Sequence, residues 1–191
     1  MIKKSRKPAR EQEDPMDRQA TGRGEGGARA PASSASAFTF DSRLGAEGAH
    51  GVAGFAMGSR VATMDGLLPV EFLNLGDRIV TRSGMRVLRG LSSLPLVSRL
   101  VGIAPGALGH DRPGQAMVLG SGTQVLLRDW RAEVMFGTAQ ALVAVERLID
   151  GQFITRITGR KIRIFALHFE APEVIYADGV EIGCTPLALR G

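Results

Sequence analysis

The chain has 191 residues, of which 44% are hydrophobic and 23% charged, so it has material for one ordinary domain and not comfortably for two. No stretch approaches the run of about eighteen apolar residues that a membrane span needs, and the basic start lacks the apolar segment of a signal peptide. We therefore expect a cytoplasmic protein without membrane contact. The single Cys184 excludes an internal disulfide, and three scattered histidines provide no zinc site of the usual spacing, so we expect neither metal nor cofactor.

The excess positive charge is concentrated at the start of the chain. Residues 1–37 hold eight of the 24 Lys and Arg residues and five of the 19 Asp and Glu residues, so the rest of the chain is nearly neutral. This segment is rich in Gly, Ala, Arg, Ser and Pro and has almost no large apolar residue, which predicts a disordered basic tail. We expect residues 38–53 to form a linker or an edge strand, and residues 54–191 to form the folded domain.

The basic tail leaves two interpretations open. Its KKSRKPAR start suits contact with phosphate or with a membrane surface, whereas clustered charge is more often a solubilising feature. Only 5% of the residues are aromatic, and they offer no evident set of rings on which bases could stack. We expect a protein partner, whose identity the sequence does not specify, in preference to nucleic acid.

Short apolar runs dominate the chain after residue 54, separated by turn residues about every eight to twelve positions, a pattern typical of an all-β fold. Strands are predicted at residues 60–63, 67–72, 78–82, 85–91, 97–103, 115–119, 124–128, 152–157, 161–169 and 174–177. Tight turns are predicted at Asp65-Gly66, residues 74–77, Ser83-Gly84 and Asp178-Gly179. We expect the aspartates in these turns to bond to the local backbone.

A single helix is predicted at residues 139–149, because Leu142, Val145, Leu148 and Ile149 recur at helical spacing. The glycine-rich stretches lack the spacing of phosphate-binding loops, so we interpret them as turns. Ser59 and Ser121 have no histidine near them in sequence, and no Ser/His/Asp arrangement is therefore visible.

Residues 55–82, FAMGSRVATMDGLLPVEFLNLGDRIVTR, carry a more specific pattern. A Phe is followed by Gly-Ser, a strand, Thr, an Asp-Gly turn, Val-Glu-x-Leu and Gly-Asp before the next strand. Residues 103–109 (IAPGALG), 124–128, 141–143 and 177–179 (ADG) continue the pattern. In order and spacing these motifs resemble the bacterial Hedgehog/intein (Hint) domain family. The resemblance implies an all-β, intein-like horseshoe of short strands, to which the predicted elements add one short helix.

The resemblance also implies a self-cleavage reaction that this chain is poorly equipped to perform. In active Hint domains a first cysteine attacks the preceding carbonyl and converts the peptide bond to a thioester, and a histidine protonates the amide that breaks. Gly54 stands at the cysteine position and Thr123, in LGSGTQVLL, at the histidine position. Pro172 replaces the histidine of the family's late His-Glu-Val motif.

These three departures favour a catalytically degenerate Hint domain that acts as a structural or interaction module, with no catalytic residue of its own. The alternative is an autoproteolytic or protein-splicing domain that uses a non-standard nucleophile, either Ser59 or Cys184. Cys184 is otherwise interpreted as a semi-buried packing residue.

Overall fold

The computed structural model describes residues 51–186, which form fourteen short strands joined by turns and loops. The strands in chain order are β1 Phe55–Ala56, β2 Arg60–Thr63, β3 Gly66–Pro69, β4 Arg78–Thr81, β5 Gly84–Val87, β6 Gly90–Val97, β7 Leu100–Ile103, β8 Met117–Gly120, β9 Gln124–Leu127, β10 Ala141–Ala144, β11 Ile154–Ile157, β12 Ile162–His168, β13 Glu173–Ala177 and β14 Val180–Cys184. One α-helix, α1 Trp130–Phe136, and the 3₁₀ turns Val70–Phe72 and Val145–Leu148 complete the described part. The predicted all-β class with one short helix is confirmed.

The strands form two sheets with antiparallel pairing between neighbours. The first sheet has the order β11-β7-β8-β1-β12-β6, and the second has the order β10-β9-β14-β13-β2-β4-β5, with β3 paired to β2. The short strand β1 lies in the middle of the first sheet, where Phe55 pairs with Leu119 on one side and with Phe165 on the other. The residue just before β1 is therefore held between two other strands.

In two hairpins a threonine hydroxyl closes the turn through the same pair of hydrogen bonds. In the β2–β3 turn the Thr63 hydroxyl donates to the Gly66 carbonyl at 2.8 Å and accepts from the Asp65 amide at 3.1 Å. Thr81 repeats the arrangement at β4–β5, with the Gly84 carbonyl at 2.8 Å and the Ser83 amide at 3.1 Å. Both predicted turns are confirmed, and side-chain hydroxyls satisfy backbone groups that the hairpin would otherwise leave unpaired.

Aspartates play different parts in the predicted turns. Asp77 accepts from the Asn74 amide at 2.8 Å, as a local turn residue does. Asp178 does not bond within its own turn. Its carboxylate accepts from the Arg60 amide at 3.1 Å and from the Gln115 side-chain amide at 3.0 Å, which ties the β13–β14 turn to distant parts of the chain.

The core fills the space between the sheets with aliphatic side chains. All four residues of β9 are buried, and in β14 four of five are. Strands with both faces covered read as continuous apolar runs, which explains why β9 was recognisable from its sequence. Phe55 and Phe169 are among the largest fully buried side chains, and the burial of Phe55 fixes the position of its neighbour Gly54.

The helix prediction at residues 139–149 is wrong. This segment forms β10, which pairs with β9 from Ala141 to Ala144, and then a 3₁₀ turn from Val145 to Leu148. An apolar strand followed by one tight turn imitates helical spacing over so short a length. The α-helix begins instead at Trp130, after Asp129 accepts from the Arg131 amide as the N-cap, and it ends at Gly137 in the left-handed conformation.

The other predicted strands are found with shifted boundaries. The predicted strand 85–91 is divided between β5 and β6, and the predicted strand 97–103 begins only at Leu100, because Val97 still belongs to β6 and residues 98–99 connect the two strands. The strands β1, β10 and β14 were not predicted. The predicted tail, residues 1–37, and residues 38–50 of the predicted linker lie outside the described residues. Within residues 51–186, the helices do not reach the length and apolar character of a membrane span.

Candidate functional site

The peptide bond between Ala53 and Gly54 lies against the turn that joins β8 to β9. The Gly120 amide donates to the Gly54 carbonyl at 2.9 Å, and the Gly122 amide donates to the Val52 carbonyl at 3.1 Å. A Cβ at Gly120 would stand 2.1 Å from the Val52 carbonyl oxygen, so this close approach requires glycine. Residues 52–54 therefore continue along β8 as part of the folded domain.

Thr123 is the side chain that contacts the nitrogen of this peptide bond. The Gly54 amide donates to the Thr123 hydroxyl at 2.9 Å, and the side chain is buried. The same hydroxyl lies 3.0 Å from the Gly54 carbonyl oxygen and 2.7 Å from the Gly120 carbonyl oxygen, and its one proton serves one of them at a time. The structure thus brings together Gly54 and Thr123, the two residues that the sequence pattern singled out.

The chemistry of this contact differs from acid catalysis. An acid that promotes amide cleavage must deliver a proton to the nitrogen, whereas the Thr123 hydroxyl accepts the hydrogen bond that the nitrogen already donates. Threonine is also a poor general acid at neutral pH. The hydroxyl satisfies a buried amide and leaves the peptide bond in its stable form.

Gly54 has no room for a side chain in this structure. Its φ is +144°, which L residues rarely adopt, and an added Cβ would lie 2.4 Å from Ile164 Cγ2 and 2.5 Å from the Phe165 carbonyl oxygen. The second of these atoms belongs to the backbone of β12, which cannot turn aside as a flexible side chain can. A thiol or hydroxyl at position 54 would therefore require β12 to move.

The late motif supplies a structural carboxylate. Pro172 is exposed just before β13, while the adjacent Glu173 is buried. The Glu173 carboxylate accepts from Arg86 Nε at 2.8 Å and lies 2.9 Å from the Thr81 hydroxyl. Glu173 therefore links β13 to the β4–β5 hairpin.

The two alternative nucleophiles are both buried. Burial, and then the negative charge of Glu173 on the neighbouring strand, raises the pKa of the Cys184 thiol to about 12. The thiol is therefore protonated at neutral pH, and a protonated thiol is a weak nucleophile. Ser59 is 6% exposed, and its hydroxyl has no histidine partner within residues 51–186.

One serine–histidine contact was not visible in the sequence. Ser92 Oγ lies 2.8 Å from His168 Nε2 across the β6–β12 pair, which brings together residues 76 positions apart. His168 Nδ1 is buried and has no hydrogen-bond partner within the described residues, so this pair lacks the carboxylate of a catalytic triad. Burial lowers the pKa of His168. No local sequence signal could have found a contact that depends on strand register.

Comparison with known proteins gives the family and the fold of this chain. The family model of the Hint domain matches residues 53–184, more than half of the chain. The bacterial intein-like domain from Clostridium thermocellum is similar in structure, with a TM-score of 0.51 and 11% identity over 70% of this chain and 99% of that chain. No curated protein matches significantly by sequence.

Two solved inteins are also similar at low identity. The MchDnaB-1 intein has a TM-score of 0.48 and 9% identity over 69% of this chain and 99% of its own. The gp41-1 intein has a TM-score of 0.45 and 9% identity over 69% and 98%. The family match, together with the fold shared with the C. thermocellum domain, shows that this chain belongs to the Hint domain family.

Proposed function

We propose that this protein is a Hint domain that does not cleave itself and that acts as an interaction module for a protein partner. The observation that carries the proposal is the contact between Gly54 and Thr123. The position of the nucleophile has neither a reactive group nor space for one, and the residue on the amide nitrogen accepts a hydrogen bond from it. Function depends on the site and not on the fold, so an intein-like fold does not by itself confer cleavage.

The surface supports a binding role. Large apolar side chains that are more than half exposed occur on the β2–β3 hairpin, on the following loop and on α1; they are Met64, Leu67, Phe72, Leu75, Trp130 and Val134. Exposed apolar side chains that form one contiguous patch mark surfaces that contact other proteins, and we propose that those of the β2–β3 hairpin and the following loop form such a patch.

The intact mass of the purified full-length chain tests the proposal. We expect the mass to stay unchanged over days, with or without added thiol, because a thioester that never forms cannot be intercepted. A fragment that ends at Ala53, or an intermediate sensitive to hydroxylamine, would contradict the proposal. Substitution of Ser59 and of Cys184 by alanine would then identify the non-standard nucleophile of an autoprocessing domain.

Restoring the family's residues provides a second test. The double variant Gly54→Cys with Thr123→His supplies a thiol and an imidazole, which act as a unit in the family's reaction. We expect it to remain uncleaved and to be less stable than the wild type, because the cysteine Cβ meets the backbone of β12. Cleavage by the folded double variant would show that the steric argument at Gly54 is wrong.

A further inference from the structure

Three arginines from different parts of the chain surround one buried carboxylate. Glu181 lies in β14, and its side chain is 2% exposed. Arg82 Nη1 lies 2.5 Å from Oε1, whereas Arg128 Nε and Arg112 Nη1 both approach Oε2, at 2.8 Å and 3.7 Å. Two guanidinium groups therefore share a single carboxylate oxygen.

Arg112 and Arg128 each keep N–H groups that do not bond to Glu181. Within residues 51–186 the Oε2 atom has no well-aligned hydrogen bond, despite its short distance to Arg128 Nε. The contact of Arg112 at 3.7 Å is too long for a hydrogen bond, and its Nε donates to the Gly109 carbonyl at 3.2 Å. The side chains of Arg112 and Arg128 are 28% and 46% exposed, so water and small solutes reach them.

Both arginines line the same cleft. Its other lining residues are Leu108, Leu126, Leu127, Asp129, Val180 and Glu181. Asp129 is committed elsewhere, because its carboxylate pairs with Arg131 at 2.6 Å and caps α1 through the Arg131 amide at 3.0 Å. The Arg131 hydrogen bond and, to a smaller extent, the positive charge of Arg112 hold the pKa of Asp129 below its ordinary value, so Asp129 stays ionised and mainly paired with Arg131.

We propose that the partly exposed guanidinium groups of Arg112 and Arg128 together bind an oxyanion, either a carboxylate or a phosphate group, at the opening of this cleft, with Glu181 as a positioning residue that holds the two guanidinium groups. Planar guanidinium groups bind such anions through pairs of parallel hydrogen bonds. An entering oxyanion accepts hydrogen bonds from the N–H groups of Arg112 and Arg128 that Glu181 leaves unbonded.

The inference rests on the proposed function, because the oxyanion site would be the place at which this chain holds its protein partner. The two are tested separately. Self-cleavage of the chain would overturn the proposed function and leave the anion titration unaffected, whereas failure of the titration would leave the mass result standing.

The test is a titration of the full chain with sodium phosphate and with sodium acetate, each against sodium chloride at matched ionic strength. Nitrogen-15 NMR of the arginine Nε–Hε groups is the readout. We expect saturable shifts at Arg112 and Arg128. Arg128→Gln should weaken binding about tenfold, as expected for the loss of one charge-assisted contact. The matched control is Arg156→Gln, which removes the same charge from an exposed position on β11 and should leave the affinity unchanged.

The relative affinities of the two anions indicate which chemical group the site binds. Tighter binding of phosphate indicates a phosphoryl ligand, and equal or tighter binding of acetate indicates a protein carboxylate. Arg112→Gln repeats the test if Arg128→Gln fails to fold. The proposal is overturned if neither anion gives saturable shifts at these two residues, or if Arg156→Gln weakens binding as much as the cleft variants.

Discussion

Gly54 and Gly58 form a natural pair for separating backbone strain from steric exclusion. Both have positive φ, +144° and +83°, but a Cβ at Gly58 meets nothing within 4 Å, whereas a Cβ at Gly54 meets Ile164 and the backbone at Phe165. Strain from positive φ alone costs about 1 kcal/mol for an alanine. Overpacking in a buried site adds roughly 1–3 kcal/mol.

We therefore expect Gly54→Ala to lower the free energy of unfolding by more than Gly58→Ala, with the difference about equal to the overpacking cost. Urea unfolding of the two variants and the wild type measures it. Equal losses would show that β12 yields at no cost and that position 54 can accept a side chain.

His168 makes a second residue-level prediction, about pH. Its native pKa is lowered by burial from an ordinary value of about 6.5, so the unfolded chain binds a proton more readily than the native one. The contribution of His168 to stability is therefore complete above about pH 6.5 and decreases as the pH falls toward the native pKa.

Urea unfolding between about pH 5 and pH 7 tests this, because histidine is the side chain that ordinarily titrates in that range. We expect the wild type to lose more stability on acidification than His168→Gln. The control His110→Gln, at an exposed position, should keep the wild-type dependence. A His168→Gln profile that parallels the wild type would contradict the assignment.

At the scale of elements, the 3₁₀ turn after β10 takes over the packing role expected of a helix. Leu148 in this turn is 8% exposed and belongs to the main core cluster. Leu148→Ala should lower the free energy of unfolding by about 2–4 kcal/mol, as large-to-small core changes do. Leu75→Ala, at a side chain that is 66% exposed, is the control and should change stability by less than about 0.5 kcal/mol. An equally small effect at Leu148 would mean that the buried face is wrongly assigned.

The α1 helix shows how much local sequence can reveal about an element. Asp129 as N-cap and Gly137 as the left-handed C-terminal residue are ordinary boundary signals, and both were present in the sequence. The helix is short, and although Ala132 and Phe136 face the core, Trp130 and Val134 are exposed, so its apolar residues do not mark one buried face. Pattern analysis therefore favoured residues 139–149, where Val143, Val145 and Leu148 are buried.

At the scale of the whole molecule, the sequence predicts a protease-sensitive tail ahead of a resistant domain. Backbone hydrogen bonds from Gly120 and Gly122 hold residues 52–54, so the resistant core should include them. Limited trypsin digestion of the free protein should cut within residues 1–43 and leave a core that begins at Leu44, after Arg43. Mass spectrometry identifies the new terminus. Resistance of Arg10 and Arg18 would show instead that the tail is docked.

The sequence by itself determined the fold class, most strands, the hairpin turns and the family. These features depend on alternating apolar residues and on turn chemistry, which act over a few neighbouring positions. The sequence also shows directly that position 54 has no thiol and position 123 no imidazole.

The tertiary structure decided which distant groups meet. Strand pairing places the backbone of Phe165 where a Gly54 side chain would lie, gathers three arginines around Glu181, and joins Ser92 to His168. Residues 141–144 form a strand because they pair with β9 at the edge of the second sheet. Such contacts depend on register and on the order of strands in the sheets, which no local pattern records.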